Sequence, residues 1–334
     1  MLFSLDENTH SNYGAGLLCF TQYCDAHSIP ELSCMPASEI LLSAFSASAA
    51  GSTSESALNN WVAGLQYWHI VNGAAWHSLD MLHHVCCGFM KLVPPSSKRA
   101  KCPPMTIEAL VALKSGLDLS NAFDVAVWAV ASVAFWSCCC LGKLLVPSQN
   151  LFNPAKHMSR DVLPILHNGM EHATFHIPWT KTTAAVGADI SVTACIHVTC
   201  PLLALRHHLS TNSLVPNTAP LFTFETADGG WAPMKKPWFI DHCNMVWVAT
   251  GFPQMPGHAF CIGGATELLL QGTDPNVMVT QGHWLSHAFL EYWCHIESIL
   301  PLFISNATNS HCAHGLEATM DTYAHYHRLP TSSR

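Results

Sequence analysis

Arginine is nearly missing from this chain. Its 334 residues hold five, Arg99, Arg160, Arg206, Arg328 and Arg334, within a Lys plus Arg total of 14. Against these stand 22 Asp plus Glu, which sets the formal charge at -8 with histidine neutral. Taken alone, that balance excludes a protein that grips nucleic acid through a broad basic surface, because phosphate contacts are made by Lys and Arg. No positive n-region precedes an apolar run near the start, where Asp6 and Glu7 come first, so a cleavable export signal is not expected. Without export, the 15 Cys are expected as thiols in a reducing compartment, not as disulfides. The chain also has no Gly-x-Ser-x-Gly elbow, and no G-K-[ST] follows Gly263-Gly264, which removes a serine-hydrolase site and a phosphate-binding loop. No repeat of fixed period is present.

The chain is rich in Cys and His, 15 and 22, and its 49% hydrophobic content is ample for a packed core. A zinc reading therefore needs weighing. His172 and His176 are four apart, but in a stretch that reads as a strand. Cys195-Ile-His197-Val-Thr-Cys200 alternates ligand types, yet no second pair follows at finger spacing. His311, Cys312, His314, His325 and His327 cluster in a C-terminal segment expected to be flexible. Cys138, Cys139 and Cys140 cannot share one helix face, so buried thiols are their default. No metal and no cofactor is expected. The uncharged run Val125 to Gly142 is at the lower length limit for a bilayer span and reads better as a buried core helix.

Periodicity divides the chain. Residues 1–12 are polar and read as loose. Helical patterns cover 15–25, 37–50, 54–72 and 80–91, so 13–92 reads as an all-helical domain. Residues 93–104 contain four prolines and, together with Lys91, four basic residues; they read as a semi-rigid, positively charged linker. A second domain is expected over 105–305, opening at Thr106 as a helix N-cap. Its expected helices are 106–116, 121–145, 202–213, 237–250, 262–271, 275–281 and 286–299. Strands are expected at 162–166, 172–179 and 190–198, the last two flanking a turn near Lys181 to Ala188. Residues 306–334 read as a flexible tail. The fold class is mainly α: a helical first domain, then a mostly helical α+β domain with a small antiparallel sheet.

The second domain carries an ordered series of motifs. They are Ala134-Phe-Trp-Ser-Cys-Cys-Cys-Leu-Gly-Lys-Leu-Leu145, Pro178-Trp-Thr-Lys-Thr182, Gly257-His-Ala-Phe-Cys-Ile-Gly-Gly-Ala-Thr266, Gln281-Gly-His-Trp284 and Ala288-Phe-Leu-Glu-Tyr292. In order and spacing this series resembles the tyrosine recombinases, in particular those of fungal mobile elements. Such proteins typically read R-L-G-E-L-L, a lysine hairpin, G-H-x-F-R-I-G-G-A-T, G-R-W and A-F-L-R-Y. The helical domain at 13–92 is similar to the core-binding domain of that family, so the resemblance spans about 13 to 305.

The resemblance implies DNA breaking and rejoining by attack of a tyrosine oxygen on a phosphodiester, with a covalent phosphotyrosine intermediate. Two guanidinium forks would clamp the non-bridging oxygens, a lysine would protonate the leaving oxygen, and His or Trp would complete the shell. Carried over, Tyr292 matches the nucleophile, Lys181 the hairpin lysine and His258 the first histidine. His283 or Trp284 matches the late His/Trp position. Both arginines are replaced: Cys140 stands at the first position and Cys261 at the second, while Lys143 replaces a glutamate. Neutral thiols cannot fork-bond phosphate and thiolates repel it, so catalysis is expected to be impaired. Linker residues Lys98, Arg99 and Lys101 are candidate DNA contacts. The implied partner is double-stranded DNA with weakened affinity, bound by a homo-oligomer in the nucleus or nucleo-cytoplasm.

The alternatives are a non-catalytic DNA-binding module on the same fold and, from another class, a Cys/His metal-binding protein. One chemistry explains the missing arginines. Deamination of methylated CpG turns CGN codons into Cys, Trp, His or Gln codons, which fits 15 Cys, 22 His and 11 Trp. Restoring nine of these residues to arginine would move the charge from -8 to +1 (-8 + 9).

Overall fold

Helix starts in this protein follow capping chemistry. A computed structural model describes residues 5, 7–78, 80–97, 102–148, 151–161, 164–167, 170–180, 183–282, 284, 318 and 321–327. The chain divides into two compact units, 1–101 and 102–334.

The first unit contains α1 (Glu7–Ala26), α2 (Glu39–Ser48), α3 (Glu55–Val71) and α4 (Asp80–Lys91). Helix α1 starts inside the stretch that the sequence reads as loose. Side chains of Ser38 and Ser54 accept hydrogen bonds from Leu41 N and Ala57 N and fix the starts of α2 and α3. Phe20, Leu42, Phe45, Leu65 and Leu82 form its core. Helices α1 and α3 approach backbone to backbone at two glycines: a β-carbon on Gly16 would lie 2.5 Å from Trp61 Cα, and one on Gly64 would lie 2.7 Å from the Tyr13 carbonyl. Buried His69 accepts from Ala37 N at Nε2 (2.9 Å) and faces the Leu65 carbonyl at Nδ1 (2.8 Å), which selects the Nδ1-protonated tautomer.

The second unit is built on α6 (Ala122–Trp136), in which every residue from Val125 to Phe135 is buried. No helix among the described residues is long and apolar enough to cross a membrane. The run of uncharged residues is a core helix, hydrophobic all round because protein surrounds it. Around it lie α5 (Ile107–Gly116), α7 (Leu141–Leu144), α8 (Pro201–Thr211), α9 (Lys236–Ala249), α10 (His258–Leu270) and α11 (Pro275–Gly282). Thr106 caps α5, and Asn121 caps α6 through Phe123 N and Asp124 N. Trp247 Nε1 donates to Ala109 O at 2.9 Å and ties α9 to α5. Ser132 Oγ and Trp136 Nε1 both donate to Thr199 O, at 2.6 and 3.0 Å.

Strands β1 (Pro164–His167), β2 (Met170–Ile177) and β3 (Ala188–Thr193) form an antiparallel sheet in that order. Strand β3 stops at Thr193, short of the expected 198, because the Cys195 and Thr199 backbone N–H groups turn to Cys200 Sγ and His197 Nδ1. A second ribbon, β4 (Thr223–Glu225) with β5 (Trp231–Pro233), has strands too short for period-two patterning to reveal. The expected helix 121–145 ends at Trp136. Cys138 takes φ +53°, Cys138 N bonds Phe135 O (3.1 Å) and Cys139 N bonds Ala134 O (3.2 Å). These bonds make a Schellman stop whose usual glycine is a cysteine, so no residue type marks the helix end. Helix α10 starts at His258, four residues before the expected 262. The expected helix 286–299 lies outside the described residues. Within the stretch read as a flexible tail, 321–326 are helical and Tyr323 is buried against Ile262, Leu269 and Met278.

Arg160 is buried as a structural cation. Its guanidinium donates to the carbonyls of Leu209, Asn212 and Thr223 and stands 3.2 Å from His208 Nε2. Burial, with Arg160 beside it, holds buried His208 down to about 4, against the pull of its hydrogen bond to Leu221 O.

Two predictions follow from this packing. A β-carbon on Gly264 would collide with the Phe135 carbonyl, whereas one on Gly142 meets nothing within 4 Å. Urea unfolding should show Gly264→Ala losing upwards of about 2 kcal/mol and Gly142→Ala staying within about 0.5 kcal/mol. For His208, the folded state binds its proton less tightly than the unfolded state. Its contribution is therefore complete above about pH 6.5 and is lost as pH falls toward 4, by up to about 3 kcal/mol. His208→Gln should flatten that part of the stability–pH curve; an unchanged slope would show that His208 is not its source.

Candidate functional site

The Schellman turn after α6 and the first turn of α10 bring three sequence-predicted residues together. The turn delivers Cys140 to the N-cap of α7, where it is exposed. Its neighbours diverge: Cys138 is buried against Ile262, and Cys139 is buried in the main core. The expectation of three buried thiols thus holds for the first two and fails for Cys140, because the turn reverses its direction. On α10, His258 and Cys261 are one turn apart and share a face. Cys261 is buried; its Sγ lies 3.0 Å from His258 Nδ1 and 3.2 Å from His258 O. The Cys140 and Cys261 thiols are near enough to shift each other's ionisation.

Electrostatics separates the two thiols. Interaction with the Cys261 thiol, then Lys143 and Lys236, hold Cys140 down to about 6 although burial opposes them. The same interaction, with burial, pushes Cys261 far up. Cys140 is therefore the thiol favoured as an anion, whereas Cys261 Sγ donates to the His258 carbonyl and stands against His258 Nδ1. Burial drives Cys139 up to about 12 and raises Cys138 as well.

Lys236 was not anticipated. It is exposed on the first residue of α9, and its stem reaches Gly257, where a β-carbon would sit 3.5 Å from Lys236 Cε and 2.8 Å from Leu141 Cδ1. A signal existed: Lys235-Lys236 precedes Pro237 at a helix start, where the helix dipole disfavours cations. Lysines placed against the dipole in so cation-poor a chain suggest that something else uses the charge.

Trp284 packs against the cluster of Cys138, Ile262, Ala265, Leu269, Met278 and Tyr323. Lys181, His283, Tyr292, Lys98, Arg99 and Lys101 lie outside the described residues. Among the described residues no group of three or more His, Cys, Asp or Glu is placed to hold a metal ion. His176 instead meets Asp189 at 2.7 Å, and His197 meets Thr199 Oγ1 at 2.8 Å. Several cations are already engaged. Arg206 forks Glu171 at 2.8 and 2.9 Å, and Lys114, Lys156 and Lys235 lie over the rings of Trp128, Trp179 and Trp238.

Solved structures share this arrangement of elements. One is XerH site-specific recombinase bound to a palindromic difH substrate in a post-cleavage complex. It superposes with a TM-score of 0.58 at 12% identity over 89% of this chain and 79% of that one. A second XerH structure, a pre-cleavage complex with difH, gives 0.53 at 13% over 88% and 78%. A dimer of lambda integrase(75-356) bound to a COC′ core site gives 0.51 at 10% over 87% and 89%. The chain has the tyrosine-recombinase fold. Neither a protein-family model nor a curated protein matches it. At such identities the likeness is one of fold, and within the recombinase fold the chemistry has to be argued from the side chains present. At α10 these are a thiol and an imidazole in contact, Cys261 and His258, with Cys140 nearby and favoured as an anion by Lys143 and Lys236. Such a set is unsuited to clamping an anion.

The charge assignment is directly measurable. Thiolate ultraviolet absorbance should show Cys140 titrating near pH 6. Cys261→Ala should return it furthest toward the ordinary 9.0, with Lys143→Gln and Lys236→Gln producing smaller upward shifts. Equal titration in all four proteins would refute the assignment.

Proposed function

We propose that this protein is a DNA-binding member of the tyrosine-recombinase superfamily whose strand-cleaving chemistry is disabled in this copy. In this reading, Tyr292 is the ancestral nucleophile, Lys181 the leaving-group acid, and His258 with His283 or Trp284 the remaining shell. Cys140 and Cys261 stand where two arginines would hold one phosphate. What supports the reading is His258 lying against Cys261 on one face of α10, with Cys140, distant in sequence, near enough to shift the ionisation of Cys261. Two guanidinium forks serving a single phosphate need that convergence. Loss of one such donor costs roughly 10²–10³ in rate, so loss of both, with a thiolate in place of one, leaves cleavage close to nil.

The source we favour is a fungal mobile element whose CGN codons have decayed, acting on nuclear double-stranded DNA as a homo-oligomer. The engagement of Arg160, Arg206, Lys114, Lys156 and Lys235 within the fold supports weakened affinity, since it leaves at most nine of 14 cations for phosphates against 22 Asp plus Glu.

Covalent trapping tests the reading. With a pool of randomised nicked duplexes, the unaltered chain should give no Tyr292-linked DNA. The Cys140→Arg, Cys261→Arg double variant should give trapped product that Tyr292→Phe abolishes. Mobility shifts of the unaltered chain should appear at about 50 mM salt and vanish steeply as salt rises. Absence of binding by both proteins at low salt would sink the DNA reading. Binding without trapping by the double variant would favour the non-catalytic DNA-binding module.

A further inference from the structure

We propose that His83 and Cys87 on α4 chelate one divalent cation of the zinc type, through the imidazole Nε2 and the thiolate Sγ. The two residues are one helical turn apart, and Cys87 Sγ lies 3.6 Å from His83 Nε2. A zinc ion holds sulfur at about 2.3 Å and imidazole nitrogen at about 2.05 Å. At a tetrahedral angle of about 109°, those two bonds separate the ligand atoms by about 3.5 Å. The pair therefore stands at the span that the ion requires, and chelation needs no backbone shift. The proposal is independent of the DNA reading.

Local structure holds the two ligands in place. Leu82 and Phe89 are buried and Cys86 packs with both, which fixes the inner face of α4 within the first unit. His83 is exposed and Cys87 half-buried, so the pair is open to ions in solution. Glu39 Oε1 accepts from Leu82 N at 3.2 Å and pins the start of the helix. A helix N-terminus disfavours a cation. Asp80 in the first turn and the Glu39 carboxylate supply negative charge at that end and offset the effect.

The donor set selects the ion. Thiolate with imidazole suits zinc and its borderline-soft neighbours, whereas Mg²⁺ and Ca²⁺ take oxygen ligands. Cys87 gives its proton to solvent as the metal–sulfur bond forms. Among the described residues no group of three or more His, Cys, Asp or Glu is placed around one ion. Water therefore fills the two remaining tetrahedral positions, and the site is an exchangeable clip, not a closed structural centre. The clip joins the first turn of α4 to the second, so occupancy stabilises this helix. His258 and Cys261 make another close imidazole–sulfur pair. Their 3.0 Å separation is too short for the tetrahedral span, and Cys261 is buried.

The reduced full-length protein, stripped of metal with a chelator, is alkylated with iodoacetamide in the absence and presence of excess zinc. The rate at each cysteine is read by fragmentation mass spectrometry. Zinc should slow alkylation of Cys87 by about tenfold, the loss set by about nine-tenths occupancy, while Cys86 on the inner face keeps its rate. Magnesium should protect neither. His83→Ala should remove the protection and His84→Ala should preserve it; both positions are exposed, so the fold tolerates either change. An unchanged Cys87 rate in excess zinc overturns the proposal and needs no variant to fold. Protection of Cys87 that survives His83→Ala overturns it as well.

Discussion

The close approach of α10 to the α6 terminus governs the second unit. Gly263 and Gly264 bring the α10 backbone against the carbonyls of Met105 and Phe135, and Met105 N bonds Ala259 O. No residue with a β-carbon fits there. The contact places the first turn of α10 opposite the turn that ends α6. The approach of Cys140 to the first turn of α10 depends on that fixed separation, whereas the His258–Cys261 contact is made within α10 itself. The hydrophobic effect supplies the force, since α6 is buried on all sides, and backbone geometry supplies the register.

A fold can retain such an arrangement while its chemistry changes sign. Arginines at 140 and 261 would bring positive charge to this point; the cysteines present favour an anion at Cys140, with Lys143 and Lys236 as its counter-charges. Cysteine is small, packs as an apolar group and is readily buried. Arg160 shows the opposite case. Its guanidinium satisfies three backbone carbonyls in the interior, and any smaller residue would leave them without partners. The arginine at 160 thus has a folding role in the interior of the second unit.

Much of the fold was legible because its helices have strong apolar periodicity and explicit caps, as at Ser38, Ser54, Thr106 and Asn121. The break after Trp136 was not, because Cys138 occupies a left-handed position that sequence rules reserve for glycine. The β4–β5 ribbon escaped because three residues carry no alternation. At the candidate site, motif order singled out positions 140, 258 and 261. It missed Lys236, whose relevance comes from tertiary proximity to Cys140 and not from any motif. The thiol asymmetry was likewise invisible, since it arises from which sulfur the turn exposes.

The left-handed turn at Cys138 also acts as a lever. A side-chain-bearing residue at φ +53° is held there against its own preference, at a cost of about 1 kcal/mol. What holds it is the burial of its sulfur among Ile262, Leu269, Met278 and Trp284. The direction in which Cys140 points is therefore set by the packing of a cluster two residues away in sequence and built from α10, α11 and Trp284. Repacking of that cluster would redirect the chain at Cys140 without touching it, so the exposure of Cys140 depends on the apolar floor beneath α10.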